Sequence, residues 1–587
     1  MEFGMQRSNS VKEDLIIRVA GESGDGSNAT GEMLAQAAAR SGLYVFTFRT
    51  TPAEIKGGPV MVQVRASNTP VRSMGDAVDV LFAFNQEAWD LHHQDMAPNA
   101  VLLYDPDEFT PPEDFTGIRY PIPINALAVQ AGNKRGKNVA ALGAVASLFG
   151  IGAARLEDIV RAKLGKKADL LELNLRALQA GIDYAKNDIQ KSDSFWVESQ
   201  AERELIVMTG NQAIVAGALH AGIGFFAGYP ITPASDIMEG LAPILPKLGG
   251  GYMQAEDEIA SIMACIGASY GGKKSMTSTA GPGISLMGEA IGYASMAEIP
   301  VVIVDAQRGG PSTGLPTKME QSDLNIAVFG GHGDSPRIVV APASVSECFH
   351  LTVWAFNLAE QYQTPVFILS DYSLSFRTET IEKFNYAAYP VIERLTPPAD
   401  LPADQYKRFE LTESGISAMA LPGMPGFNYT ASGLEHNEHG DPAYTPKAHV
   451  EMTDKRWRKF EPLKASREYV RRFGSEQAKV GVLCWGTTAG PARGAVQMAI
   501  NEGLSVAVLQ VQMLSPLPEE AIQEFIDSVD HVIVPEVNYS GQFAKLVQGT
   551  LGVKVHSFTQ YTGLPFTQID ILRKIHEVLG VSEAITA

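Results

Sequence analysis

Between residues 205 and 385, six short β-like runs (GFFAG, YMQAE, SMTSTA, PVVIVDA, RIVVAPA and PVFILSD) alternate with segments of helical spacing. Strands that are apolar throughout need cover on both faces, and the intervening helices supply it. A parallel, doubly wound sheet is the fold this pattern predicts. In such a sheet the loops after the strands' C-terminal ends open onto the ligand crevice, so polar groups there are candidates for function. The helix SDIMEGLAPIL is expected to start at Ser235 as its N-cap.

The flanking sequence continues the theme. Residues 15–187 place the strands LIIRVA, YVFTF, MVQVRA, DVLFAF and VLLYD among helices at MLAQAAARSG, VAALGAVASLFG and LLELNLRALQAGIDYAKN. Residues 475–587 return to α/β with KVGVLCWG, LSVAVLQVQML and HVIVPEVN. Three open α/β domains are expected. Residues 1–14 read as a leader and 188–204, polar and without an apolar stripe, as a linker. Residues 386–474, rich in proline, form an ordered excursion that ends in the charged helical stretch TDKRWRKFEPLKASREYVRRF. No repeat with a period of about 20–50 residues is present.

The formal charge of −19 is spread along the chain, which argues against nucleic acid as a partner and supplies no polybasic membrane anchor. No apolar run is long enough to span a bilayer, and MEFGMQRSNS lacks the apolar core of a signal peptide, so a cytoplasmic location is expected. The three cysteines, Cys265, Cys348 and Cys484, are scattered among apolar neighbours and cannot provide four cluster ligands. Any redox metal belongs to another chain, and no metal ligand is assigned here.

The turn GESGDGSNATGE (21–32), between a strand and a helix, is either an anion cradle or only a tight turn. A dinucleotide fingerprint needs G-x-G-x-x-G with an acid about 20 residues on. Here the glycines fall at 21, 24, 26 and 31, and the next strand ends in Arg49. Thiamine diphosphate enzymes follow Gly-Asp-Gly with an asparagine at a set distance, and the window where it would fall reads RTTPAEIKG. GHGDS at 331–335 is not Gly-Asp-Gly either. The chain does not carry that diphosphate site.

Three stretches set polar groups at strand ends. GYPITPASD (228–236) is a loop stiffened by two prolines, which presents Thr232. MQAEDEIASIMACIGAS (253–269) leads three acids into an apolar helix; Glu256 and Asp257 suit the helix dipole. Glu258 starts the small-residue face Ala260, Ala264, Gly267, Ala268 and is the better candidate for a buried carboxylate. DAQRGGPSTGLPTKMEQSD (305–323) surrounds Arg308 and Lys318 with hydroxyls and glycines, and an arginine takes a carboxylate in two parallel hydrogen bonds.

YPITPAS, the acid–helix stretch and QRGGPSTGLPTK, in this order, resemble the α subunit of the 2-oxoacid:ferredoxin oxidoreductases with the γ subunit fused in front. The resemblance assigns 15–187 to the γ domain, 205–385 to the pyrimidine-type thiamine diphosphate domain and 475–587 to the transketolase C-terminal-like domain. It implies thiamine diphosphate shared between two chains. A β subunit would carry the diphosphate, Mg²⁺ and a [4Fe–4S] cluster, with ferredoxin as electron acceptor and a dimer of αβ units as the assembly. Pro230, Ile231 and Glu258 match the positions that contact the cofactor. Glu258 is the implied catalytic group, holding the pyrimidine ring in the imino form that takes the thiazolium proton; Glu256 is the alternative. Thr232, Arg308 and Thr317 match substrate-binding positions.

GESGDG and PAEIKGGPV (52–60) resemble γ-domain loops, which implies coenzyme A contact at Gly24, Gly26 and Lys56; a purely structural turn is the other reading. The excursion FNYTASGLEHNEHGDP is similar to the form that oxidises 2-oxoglutarate to succinyl-CoA and CO₂. Pyruvate, branched-chain oxoacids and indolepyruvate are the alternative substrates. A non-catalytic scaffold and a dinucleotide-binding dehydrogenase are the alternatives of other classes.

Overall fold

The computed structural model describes residues 14–52, 57–165, 168–198 and 203–581. They form two compact units, one reaching to residue 208 and including 377–384, the other holding 209–376 and the chain from 385 onward.

In the first unit the strand Asp14–Glu22 is buried at every position but its ends, because sheet neighbours and helices cover both faces. It pairs antiparallel with Pro59–Ser67 and parallel with Val78–Ala83 in a mixed eight-stranded sheet. The helices Lys137–Phe149 and Ala168–Asn187 pack backbone against backbone. Gly143 and Gly181 allow this, since a side chain on either would collide with the Leu178 or Ala140 carbonyl. Residues 205–208 and 377–384, expected in the second domain, belong to this unit: the strands Leu205–Thr209 and Thr378–Glu382 extend its sheet beside Tyr44–Thr50. The described part of the expected linker is strapped down. The Tyr120 hydroxyl accepts from the Ser192 and Asp193 amides at 2.7 and 3.1 Å, and Phe195 and Val197 are buried in the core.

The second unit contains the sheet that the alternating pattern predicts. Six parallel strands run in the order Ile338–Val340, Pro365–Asp371, Val301–Gln307, Ser275–Thr279, Phe225–Gly228, Gly251–Gln254. A seventh, Met513–Ser515, pairs antiparallel with Ile338–Val340 from far along the chain. A five-stranded sheet follows, with Val470–Gly474 antiparallel at one edge of four parallel strands. The charged stretch expected as one helix is instead the helix Pro446–Arg458, a short turn Glu461–Lys464 and that edge strand.

One buried ionic cluster ties the excursion to the large sheet. The Glu298 carboxylate accepts from Lys455 Nζ at 2.7 and 2.9 Å and from Lys459 Nζ at 2.9 Å. Arg408 donates to the Glu298 carbonyl at 2.7 Å and to Gln363 Oε1 at 3.0 Å. All four charged groups are buried. Burial alone would raise the Glu298 carboxyl, but Lys455, Lys459 and Arg408 hold it far below the usual carboxylate range.

Candidate active site

Asp257 caps the helix Glu258–Tyr270: its side chain accepts from the Ala260 amide at 2.7 Å, as an N-cap carboxylate does. That cap leaves Glu256 exposed and turns Glu258 inward, to 6% exposure. Glu258 heads the buried stripe Ser261, Ile262, Cys265, Ile266 and Ser269 rather than the small-residue face, which is half-buried or open. Helical spacing explains the difference: 258, 261, 262 and 265 share one side of a 3.6-residue turn, and 260 does not.

The Glu258 side chain lies against the start of the helix Gly281–Met296. A Cβ on Gly283 would come within 2.7 Å of Glu258 Cγ and 2.8 Å of Oε1, and would collide with the Thr279 hydroxyl. No described residue donates a hydrogen bond to the Glu258 carboxylate, which belongs to a side chain only 6% exposed and stays open to a partner from outside the chain. Gly283→Ala is expected to displace that carboxylate and lower kcat by roughly 10²-fold, the cost of an ångström-scale misplacement. Steady-state assay of the assembled enzyme, with circular dichroism to confirm the fold, checks it.

Arg308 follows the strand Val301–Gln307 and reaches past the neighbouring Ser275–Thr279 to the loop after Phe225–Gly228. Its Nη1 donates to the Thr232 carbonyl at 2.7 Å. The side chain is 8% exposed, its Nε–H is buried without a partner, and no carboxylate lies within ion-pair distance among the described residues. Burial lowers its affinity for the proton and the Asp323 carboxylate, beyond ion-pair distance, raises it; a guanidinium stays charged, so this is a largely buried cation with no direct ion pair among the described residues.

The loop beyond Arg308 is pinned by Gly309 N to the Lys318 carbonyl (3.0 Å) and by Leu315 N to the Gly309 carbonyl (2.9 Å). Thr317, half-buried in it, makes no hydrogen bond through its hydroxyl to a described residue. Pro230 and Thr232 are exposed and Ile231 is half-buried; the Ile231 carbonyl accepts from the Ala234 and Ser235 amides. Ser235 is therefore the first helical residue, not the cap expected, and Ala234 holds the cap position without a side-chain bond.

The sequence reading missed what anchors this loop's far end. Gln321, fully buried, donates to the Trp485 carbonyl at 2.9 Å and accepts from the Val537 amide at 3.1 Å. Asn538 and Gln542 hold the carbonyls of Gln321 and Ser322 at 3.0 and 2.7 Å. The smaller sheet's EVNYSGQ segment (536–542) thus anchors the loop that follows the larger sheet's strand Val301–Gln307. Its run of amide side chains in a strand-end turn was the available signal.

In the first unit Gly24 and Gly26 take φ of 98° and 93°, a left-handed conformation that favours glycine. Asp25 occupies the cradle itself: its carboxylate accepts from the Glu22 and Ser27 amides, each at 2.8 Å. Two of the amides an incoming phosphate would use are therefore engaged. Lys56 lies outside the described residues. The three cysteines are buried and form no disulfide, and burial pushes the Cys265 thiol up to about 12. No helix among the described residues is long and apolar enough to cross a membrane.

Fold and site geometry suit a thiamine diphosphate-type oxidoreductase chain, and it is comparison with known proteins that shows the class. Residues 16–184 match the family described as pyruvate ferredoxin/flavodoxin oxidoreductase, and 216–455 match its thiamine diphosphate-binding domain. Residues 478–570 match core domain II of pyruvate:ferredoxin oxidoreductase. Subunit KorA of the 2-oxoglutarate oxidoreductase of Mycobacterium tuberculosis is 33% identical over 97% of this chain and 92% of its own length.

Subunit KorA of the 2-oxoglutarate synthase of Archaeoglobus fulgidus is 38% identical over 62% of this chain and 96% of its own. A solved 2-oxoglutarate:ferredoxin oxidoreductase from Magnetococcus marinus, with 2-oxoglutarate, coenzyme A and succinyl-CoA bound, superposes with a TM-score of 0.93. It is 45% identical and covers 96% of this chain and 99% of its own. The chain belongs to the 2-oxoacid:ferredoxin oxidoreductase family, as an α subunit.

Proposed function

We propose that this chain provides the substrate-binding half of an enzyme that converts 2-oxoglutarate and coenzyme A into succinyl-CoA and CO₂, passing electrons to ferredoxin one at a time. The observation that carries the reading is the largely buried Arg308 guanidinium, tied to the Thr232 carbonyl and in no direct ion pair with a described residue. It fits the α-carboxylate of an oxoacid. The choice of 2-oxoglutarate rests on the relatives that act on it or bind it.

Thiamine diphosphate fits the residues present, because Glu258 is largely buried while its carboxylate takes no hydrogen bond from a described residue. When bound, the cofactor supplies the nucleophile and electron sink that decarboxylation of a 2-oxoacid requires. Glu258 holds a proton at the pyrimidine ring nitrogen, Pro230 and Ile231 form a stiff wall for that ring, and Asp257 fixes the helix end that aims Glu258. Arg308 binds the substrate carboxylate through two parallel N–H bonds, with Thr232 and Thr317 offering hydroxyls beside it. Gly24, Gly26 and Lys56 are the proposed coenzyme A contacts of the γ domain. The diphosphate, Mg²⁺ and a [4Fe–4S] cluster are assigned to a β subunit, two αβ units to the assembly, and the cytoplasm to its location.

The test is reduction of viologen by the chain co-purified with its partner subunit. Coenzyme A-dependent turnover should favour 2-oxoglutarate over pyruvate and 2-oxoisovalerate; activity on another oxoacid alone would discard the substrate, and an inactive iron-loaded complex would leave a scaffold. Arg308→Lys keeps the charge but loses the planar fork. It should cost about 1.5–3 kcal/mol, or roughly 10- to 150-fold in kcat/KM, mostly through KM.

A further inference from the structure

The substrate loop begins and ends on a carboxylate, and neither serves any of the roles above. Asp305 lies in the strand Val301–Gln307, opposite Thr279 in register and fully buried. Neither of its oxygens has a hydrogen-bond partner. Asp323 closes the loop: its amide donates to Gln307 Oε1 at 3.2 Å, while Ser322 Oγ reaches the Arg308 carbonyl at 3.5 Å.

The Asp323 carboxylate sits over the first residue of the helix Gly281–Met296; a Cβ on Gly281 would fall 2.9 and 3.0 Å from its two oxygens. Two residues on, Gly283 carries Glu258 in the same way. One glycine turn therefore brings the candidate catalytic glutamate and a second carboxylate to the same helix end. Asp323 Oδ2 is buried without a partner, and no ion pair joins it to Arg308.

Asp305, with both oxygens buried and unpartnered, and Asp323, with one, are costly to ionise together, because an unpaired buried charge is far costlier than a retained proton. We infer that Asp323, backed by Asp305, is a positioning residue that sets how strongly Arg308 holds the substrate carboxylate, according to whether a proton sits on this acid pair. With the proton in place, Arg308 has no internal competitor and its field falls on the substrate. Without it, the Asp323 carboxylate draws on the same guanidinium and weakens the substrate's hold. The inference rests on the reading of Arg308 as the carboxylate site.

Glu320 on its own loop and Arg308 at the loop's start act on Asp323, Asp323 acts on Asp305 in the strand, and Glu258 lies two residues further along the same helix end. Burial, then Glu320, pushes the Asp323 carboxyl up, and Arg308 pulls it down, leaving it at about 7. Burial, then Asp323, holds Asp305 well above the usual range. The proton is thus lost from Asp323 first, close to neutrality. Linkage fixes the sign: the substrate anion favours the protonated acid, so KM rises with pH.

In the assembled enzyme, KM for 2-oxoglutarate should rise by up to about tenfold per pH unit above pH 7, with the change in KM rather than in kcat. Asp323→Asn, which mimics the protonated acid, should flatten that rise and hold KM at its low-pH value. Infrared spectroscopy of the chain alone gives a second readout that needs no substrate. A protonated-carboxyl band should titrate near pH 7 and vanish in Asp323→Asn, and a second, non-titrating band should vanish in Asp305→Asn.

A KM profile unchanged by Asp323→Asn, or the absence of both bands, would overturn the inference. Arg308→Lys separates the two levels. If it raises KM while Asp323→Asn leaves the profile intact, only the proton device is wrong. If Arg308→Lys leaves KM untouched, the carboxylate reading falls and the inference with it.

Discussion

Glu258→Ala is expected to lower kcat of the assembled enzyme by about 10²–10⁴-fold, the range that a positioned acid–base group contributes. The side chain is largely buried, aimed by the Asp257 cap and held against Gly283, and its carboxylate takes no hydrogen bond from a described residue. Its removal takes no internal hydrogen bond with it, so melting temperature should change little while turnover collapses. Glu256→Ala is the control: Glu256 is exposed and should leave kcat within about twofold of the parent, as open surface sites do. Steady-state viologen reduction decides between them. Full activity in Glu258→Ala would remove the catalytic assignment and bring the scaffold reading forward.

Glu298→Gln should produce the largest loss of stability, about 3–5 kcal/mol, because it leaves Lys455 and Lys459 buried without their counter-charge. The loss is local to the excursion and the sheet edge it covers, so native-state hydrogen exchange of the helix Pro446–Arg458 is the measurement. Its amides should exchange roughly 10²- to 10³-fold faster. The pH sign follows from the depressed carboxyl. Its contribution is fully present above the ordinary carboxylate range and is lost as pH falls toward its folded value. Unchanged exchange in the variant would show that packing, not charge, seats the excursion.

Periodicity read the sheets well because strands buried on both faces cannot be written any other way. Each of the six predicted runs of the large sheet is a strand. What escaped was non-local. The strand Met513–Ser515 is only three residues long and has its meaning in a partner some 170 residues earlier. The strand Thr378–Glu382 likewise joins the first unit's sheet only through folding.

At the site, the choice of Glu258 over Glu256 agrees with burial, although the small-residue face offered as the reason was the wrong side of the helix. Asp305 was visible as an acid inside PVVIVDA, but its kinship with Asp323 depends on a loop closing on itself. Ser235 fails as a cap because the Ile231–Ala234 turn already satisfies the first amides.

The edge strand Met513–Ser515 has a consequence for synthesis. As the chain leaves the ribosome, Ile338–Val340 emerges with an open flank. Its covering strand follows roughly 170 residues later, about 10–35 s at ordinary elongation rates. For that interval the nascent protein presents an unpaired apolar edge to the cell. Slowed translation between these segments would lengthen that exposure and the demand on chaperones, without altering one contact of the finished molecule.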